Sequence, residues 1–462
     1  MRIGRSTVAA AVAATVISFV PALPALPAQA APADIADQLA AIPGMTVSEQ
    51  PPPEPGYRFF FLSYRQPVDH TKRNGPTFQQ RLQLLHRDVD RPMVLHTTGY
   101  NMPEYYFRSE PTTLVDGNQI SVEERFFSPS RPNPEDWSKL DIWQAATDHH
   151  RIVQALKPIY SKKWISTGAS KGGMTSVYHR RFYPRDVDGV VAYVAPNDVD
   201  NADDSAYDDF FASVGSTPAC EDSLEAIQHE ALARRTDMVN RYEALARANG
   251  WTFDRVFGTA DKAFEMSVLD LAWAFWQYSL ETACPTVPPV TASSDDIFAF
   301  INRIDGLDFY ADQGILPYAP YFYQAATQLG WAQPKFRYLK DLLHYPNLYV
   351  ANSSLPPELR SKYSSSAMID VDNWVTNSAS QMLFVYGSND PWSAERFHPS
   401  DRDSHIYTAP GANHGANIAR LAPADAAAAS ATVLRWAGVS GVAVHRSAVL
   451  DSRNPDLERR PL

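Results

Sequence analysis

Between Tyr57 and Val94 the hydrophobic positions fall in strand-like runs. Residues 57–64 are rich in aromatics, 81–86 alternate apolar with polar, and 92–96 form a short apolar run closed by Thr98-Gly99. Residues 120–127 alternate again. From 140 to 156 the period changes: Ile142, Ala145, Ala146, Val153 and Leu156 recur at helical intervals and Pro158 follows, which predicts a helix. A strand over 163–167, a Gly-rich turn, a helix to Tyr183 and a strand over 190–194 come next. Strands and helices in alternation imply parallel pairing with right-handed crossovers, an α/β sheet over residues 31–199. Residues 200–375 hold long helical patterns and few convincing strands. Leu224, Ile227, Leu232, Val239, Tyr242 and Leu245 outline one helix, and 269–278 outline another that is apolar nearly all round. The sheet resumes within 376–462, with a buried-strand run at 381–386, a shorter one at 404–407 and an Ala-rich helix over 422–436. The pattern predicts one sheet domain in two parts with a helical cap inserted between them.

The first 30 residues belong to neither part. Arg2 and Arg5 precede an apolar run over 8–20, and Ala28-Gln29-Ala30 offers small residues where a signal peptidase reads them. The run is short for a membrane span, carries Thr15 and Ser18, and meets Pro21, Pro24 and Pro27. It predicts a signal peptide over 1–30 and a secreted, extracellular protein with no membrane anchor after cleavage. Export changes how the two cysteines, Cys220 and Cys284, are read: an oxidising compartment favours a disulfide between them, worth about 4 kcal/mol for a loop of that length. Composition narrows the rest. At 462 residues, 45% hydrophobic and 20% charged, the chain must bury a large core, and 41 Lys plus Arg against 52 Asp plus Glu argue against a nucleic-acid partner.

The candidate chemistry lies at strand ends. Gly168-Ala169-Ser170-Lys171-Gly172 follows a predicted strand and opens a predicted helix, the context of a nucleophile elbow, in which small residues let the chain double back and present the Ser hydroxyl. In that fold the acid and the base follow later strands, in the order Ser, Asp, His. Asp390, in Gly387-Ser388-Asn389-Asp390-Pro391-Trp392, lies just beyond a buried strand. His414, in Gly411-Ala412-Asn413-His414-Gly415, sits on the loop after the next one. A hydroxyl is a poor nucleophile at neutral pH, so His414 would take the proton of Ser170 while Asp390 fixes the imidazole tautomer. The tetrahedral oxyanion needs donors, for which the backbone N–H groups of Lys171 and of Tyr100, in the loop after the 92–96 strand, are the candidates. There is no His-Glu-x-x-His, no Cys/His cluster and no phosphate-cradling Gly motif, so no metal and no cofactor are called for, and the acidic pairs Asp203-Asp204 and Asp208-Asp209 look like solvated surface.

These residues resemble the secreted tripeptidyl aminopeptidases of actinobacteria, also described as prolyl tri/tetrapeptidyl aminopeptidases. The matching segments are Val122-Glu123-Glu124-Arg125-Phe126-Phe127, Trp143-Gln144-Ala145-Ala146-Thr147-Asp148, Gly168-Ala169-Ser170-Lys171-Gly172-Gly173-Met174-Thr175 and the stretches around Asp390 and His414. The Glu-Arg-Phe-Phe segment is similar also to the lysosomal Pro-X carboxypeptidase and dipeptidyl peptidase group, which share a helical cap. The resemblance implies an α/β-hydrolase that releases tripeptides from free peptide N-termini, with Ser170 as nucleophile, Asp390 as acid and His414 as base. A substrate ammonium entering the cleft needs a carboxylate to receive it. Glu124 is one candidate, with a structural ion pair to a nearby Arg as its competing role, and Asn101 is a second amine or carbonyl ligand. Trp273, Phe275, Trp276 and Tyr278 either line an apolar pocket or pack as helix core. Two other functions stay open on sequence: an esterase or lipase using the same triad, and an inactive hydrolase fold acting as a secreted binding protein.

Overall fold

A computed structural model describes residues 33–440 and seven positions among the first eleven, so most of the predicted export signal falls outside the described residues. The strands are β1 (Met45–Gln50), β2 (Arg58–Pro67), β3 (Thr77–His86), β4 (Met93–Thr97), β5 (Asn118–Val122), β6 (Trp164–Ala169), β7 (Gly189–Tyr193), β8 (Met382–Gly387) and β9 (His405–Ala409). They form one sheet in the order β1-β2-β3-β5-β4-β6-β7-β8-β9. Pairing is antiparallel from β1 to β5 and parallel from β5 through β4 to β9. β1 escapes the hydrophobic pattern because it is an edge strand with only Met45 buried.

The central strands are buried on both faces and therefore read as continuous apolar runs. Their side chains still alternate. Val94, Ile165, Val191, Leu383 and Val385 point to the face covered by the helix Pro423–Trp436. Leu95, Trp164, Val190, Ala192 and Phe384 point to the opposite face, into the larger core. Each such side chain contributes roughly 1.5–3 kcal/mol by leaving water. This parallel core, with a sharp turn after β6 leading into the helix Lys171–Phe182, is an α/β-hydrolase fold.

Between β7 and β8 the chain is helical. Its apolar helix Ala260–Tyr278 packs on Ala219–Ala233 and, at its end, on the loops beyond β8 and β9. Cys220 and Cys284 are bonded, tying the start of Ala219–Ala233 to the turn that follows Ala260–Tyr278. The single helix expected through Leu224 and Leu245 is two, Ala219–Ala233 and Arg235–Asn249, with Arg234 between them outside helical geometry. Both halves bury the same face against Ala260–Tyr278, so the apolar spacing runs through the break. At the break the Arg234 guanidinium donates to Glu230 Oε1 and to the distant carbonyls of Val290 and Ala292.

The alternation over 120–127 also misleads. β5 stops at Val122, and the next three residues are buried charges. Arg125 donates from Nε and Nη2 to the two oxygens of Asp148 at 2.7 and 2.9 Å and to the carbonyls of Val68, Lys139 and Pro67, with both side chains fully buried. Burial disfavours the ionised Asp148, but Arg125 and then His70 more than offset it and hold the carboxyl below its usual range. Arg125→Ala would leave Asp148 buried without its main counter-ion, and a loss of about 3–5 kcal/mol is expected, read as a lower urea midpoint.

Candidate active site

Ser170 immediately follows β6 and caps the helix Lys171–Phe182 with φ 55° and ψ −129°, a conformation that costs a non-glycine residue about 1–3 kcal/mol. The surroundings enforce it. The Ser170 N–H donates to Tyr193 O at 2.8 Å, and a Cβ on Gly168 would lie 2.4 Å from the backbone of Gly172, so the turn closes only with glycine there. The hydroxyl ends up buried, with no hydrogen-bond partner.

Asp390 follows β8 and His414 follows β9, so with Ser170 after β6 all three stand at the carboxyl edge of the parallel sheet. His414 Nδ1 donates to Asp390 Oδ1 at 2.9 Å. The same carboxylate accepts from Ser393 Oγ at 2.7 Å and Trp392 N–H at 3.2 Å, which fixes its plane. The His414 backbone is anchored through its own N–H to Gln277 O at 3.2 Å, a contact from the helical insertion. With Nδ1 bearing the proton, Nε2 is the basic nitrogen. It too is buried without a hydrogen-bond partner, as the Ser170 hydroxyl is.

The Lys171 N–H is the first of its helix and has no carbonyl one turn behind it. The Tyr100 N–H is engaged by Thr98 Oγ1 at 3.2 Å, long for such a bond, so an oxyanion would compete with that hydroxyl. The Lys171 side chain is buried too: Nζ donates to Gly99 O at 2.7 Å and lies 3.6 Å from Glu124 Oε1, above the rings of Tyr100 and Phe127. Burial lowers its pKa and Glu124 opposes that. The ion-pair partner of Glu124 is therefore this lysine and not an arginine. Asn101 stands exposed on its loop. Phe275 and Trp276 are fully buried core, and Trp276 Nε1 donates to Glu221. Trp273 does double duty: its ring meets Trp392 at 4.7 Å, beside Asp390, and lines a cavity of about 530 Å³ on the insertion.

One surface assignment is corrected. Asp204 is buried, accepting from Gln333 N–H at 2.9 Å, and belongs to an acidic group with Asp198 and Glu395 that the sequence pattern did not single out. Asp203 and Asp208 remain more exposed.

The sequence over residues 28–455 matches the family model described as PS-10 peptidase S37. The chain belongs to the S37 peptidase family. It is 53% identical over 418 residues to the prolyl tri/tetrapeptidyl aminopeptidase of Streptomyces mobaraensis, covering 90% of this chain and 87% of that one. Similar solved structures include the proline iminopeptidase of Mycobacterium smegmatis (12% identity, 81% of this chain and 98% of the other, TM-score 0.41) and the homoserine O-acetyltransferase of Staphylococcus aureus (12%, 86% and 99%, TM-score 0.38). As a peptidase of this family, the protein acts on peptide substrates.

Proposed function

We propose that this S37 peptidase is an exported serine aminopeptidase that releases tripeptides, or tetrapeptides, from free peptide N-termini, with Pro or an apolar residue before the cleaved bond. The observation that carries this reading is the Asp390–His414 hydrogen bond, made at the same sheet edge where Ser170 Oγ stands buried and unpaired. The S. mobaraensis relative, a prolyl tri/tetrapeptidyl aminopeptidase, supports the product length and the proline preference. Export rests on the Arg-led apolar leader and is consistent with the Cys220–Cys284 bond; among the described residues no helix is long and apolar enough to cross a membrane.

In this mechanism Ser170 Oγ attacks the scissile carbonyl carbon as its proton passes to His414 Nε2, and Asp390 stabilises the imidazolium. The Lys171 N–H holds the oxyanion, joined by the Tyr100 N–H once it leaves Thr98. Collapse breaks the C–N bond as His414 returns the proton to the leaving amine. Water then repeats the sequence on the acyl-enzyme and frees the peptide as a carboxylate. The helical insertion over 200–375 acts as a cap that admits chain ends.

Mass analysis of products from an unblocked decapeptide and its N-acetyl twin tests this. Release of an N-terminal tripeptide or tetrapeptide from the first alone is the expected result. Cleavage of neither peptide, with rapid hydrolysis of a short-chain nitrophenyl ester, would favour the esterase. Neither activity, with no labelling of Ser170 by a fluorophosphonate, would favour the inactive binding fold.

A further inference from the structure

Asp198 lies just beyond β7 and is only 5% exposed, yet neither of its carboxyl oxygens has a hydrogen-bond partner. The Trp331 N–H bonds Asn201 Oδ1 at 2.6 Å and only partly opposes the effect of burial on Asp198. The charges bearing most strongly on it, Asp204 and Asp200, have its own sign. Glu395 is held close through the backbone, since the Asn197 N–H donates to Glu395 O at 3.1 Å and Pro196 bridges Arg396. Its side chain is half-buried and takes only a long bond from Tyr207 OH at 3.4 Å. Gly330 of the insertion abuts the carboxyl so closely that a Cβ there would lie 2.2 Å from Asp198 Oδ2. Burial first, then like charge, pushes Asp198 up to about 7 and Glu395 up to about 8. A buried, unpaired carboxyl destabilises the fold and makes physical sense where a cation arrives with the ligand.

The position suits a substrate contact. Trp331, next to Gly330, meets Trp392 beside Asp390 and Tyr321, and Tyr321 meets Tyr100 of the oxyanion loop. Asp198, against Gly330, thus lies at the Trp331 end of a run of rings that spans from the loop of Asp390 to that of Tyr100. The chain path from Tyr193, which binds the Ser170 amide, is five residues, at most about 18 Å, and an extended tripeptide spans about 10 Å from amine to scissile carbonyl. No three His, Cys, Asp or Glu side chains among the described residues are arranged to hold a metal ion. Glu124, the sequence-based candidate for this role, already has Lys171 as its cation.

We propose that Asp198, supported by Glu395, receives the terminal ammonium of the peptide substrate and so sets the exopeptidase register. This rests on the aminopeptidase reading above. The ammonium supplies three donors to a carboxylate pair of which Asp198 has none and Glu395 only the long bond from Tyr207, and an acetylated amine supplies neither the charge nor the fit.

The test is kcat/KM on a tripeptidyl p-nitroanilide, free and N-acetylated, for wild type, Asp198→Asn, Glu395→Gln and Glu124→Gln. Asp198→Asn is expected to lose about 30-fold or more on the free amine, mainly through KM, and little on the acetylated form, with a smaller loss for Glu395→Gln. Folding is checked by Tm. A carboxyl whose folded pKa is raised favours the fold most below about 4, and that contribution is lost as pH rises through 7, so at pH 8 Asp198→Asn should be no less stable than wild type. If that variant does not fold, the wild-type pH profile serves. KM for the free amine should rise as pH falls below 7 with no parallel rise for the acetylated substrate, Asp198 being faced also by Asp200, Asp204, Glu395, Tyr178, Tyr207 and Tyr363. Wild-type discrimination that survives in Asp198→Asn, or that is lost only in Glu124→Gln, overturns the proposal and leaves the aminopeptidase intact. A wild type that does not discriminate at all overturns the aminopeptidase reading itself.

Discussion

Ser170→Ala is expected to lower kcat/KM on a tripeptide substrate by about 10⁵–10⁶-fold, with stability unchanged to within about 0.5 kcal/mol. The size follows from what is removed. No other hydroxyl or thiol takes the same place after β6, where the turn is closed by Gly168 against Gly172 and by the Ser170 N–H on Tyr193 O. Stability holds because the lost Oγ has no hydrogen bond to give up, while alanine keeps the Cβ and hence the strained φ. Residual activity would come from the oxyanion donors and substrate binding alone, with water as nucleophile. A measured loss below about tenfold would mean that Ser170 forms no bond to substrate.

Asp390→Asn should cost about 10⁴-fold, mostly in kcat. Asp390 accepts three hydrogen bonds, from His414 Nδ1, Ser393 Oγ and Trp392 N–H. Asparagine has one acceptor oxygen and one NH₂. If its oxygen takes the place of Oδ2 and accepts from Ser393, the NH₂ takes the place of Oδ1, leaves the Trp392 N–H without its acceptor and faces Nδ1, which must then give up its proton to Nε2. Nε2 becomes a donor, and the base is lost without displacing an atom. Preserved KM and fluorescence-detected folding, with collapsed kcat, would distinguish this tautomer effect from general disruption.

The three residues of the candidate triad were legible because each belongs to a local motif at the end of a run apolar enough to mark a buried parallel strand. The Cys220–Cys284 bond was legible from compartment and count, and the structure contains it. What stayed hidden was fixed by distant partners. Asp204 reads as solvated beside Asp203, and only a strap arriving 129 residues later, with the Gln333 amide, buries it. At the break, Arg234 meets carbonyls of Val290 and Ala292 that lie more than fifty residues further along the chain. The Glu-Arg-Phe-Phe segment was conspicuous as a motif, but its chemistry was not: Arg125 is consumed by Asp148 and three carbonyls, and Glu123 holds the Met102 amide and Arg81. Asp198 has no local signature, because burial without a partner is a property of the folded neighbourhood.

The bond between Ser170 and the peptide can be observed directly. Acid-quenching a reaction with a tripeptidyl ester, then mapping the protein by mass spectrometry, should find the tripeptidyl acyl group on the fragment bearing Ser170 in wild type and nowhere in Ser170→Ala. Turnover with the acyl group on another residue, persisting in Ser170→Ala, would contradict the assignment of Ser170, Asp390 and His414.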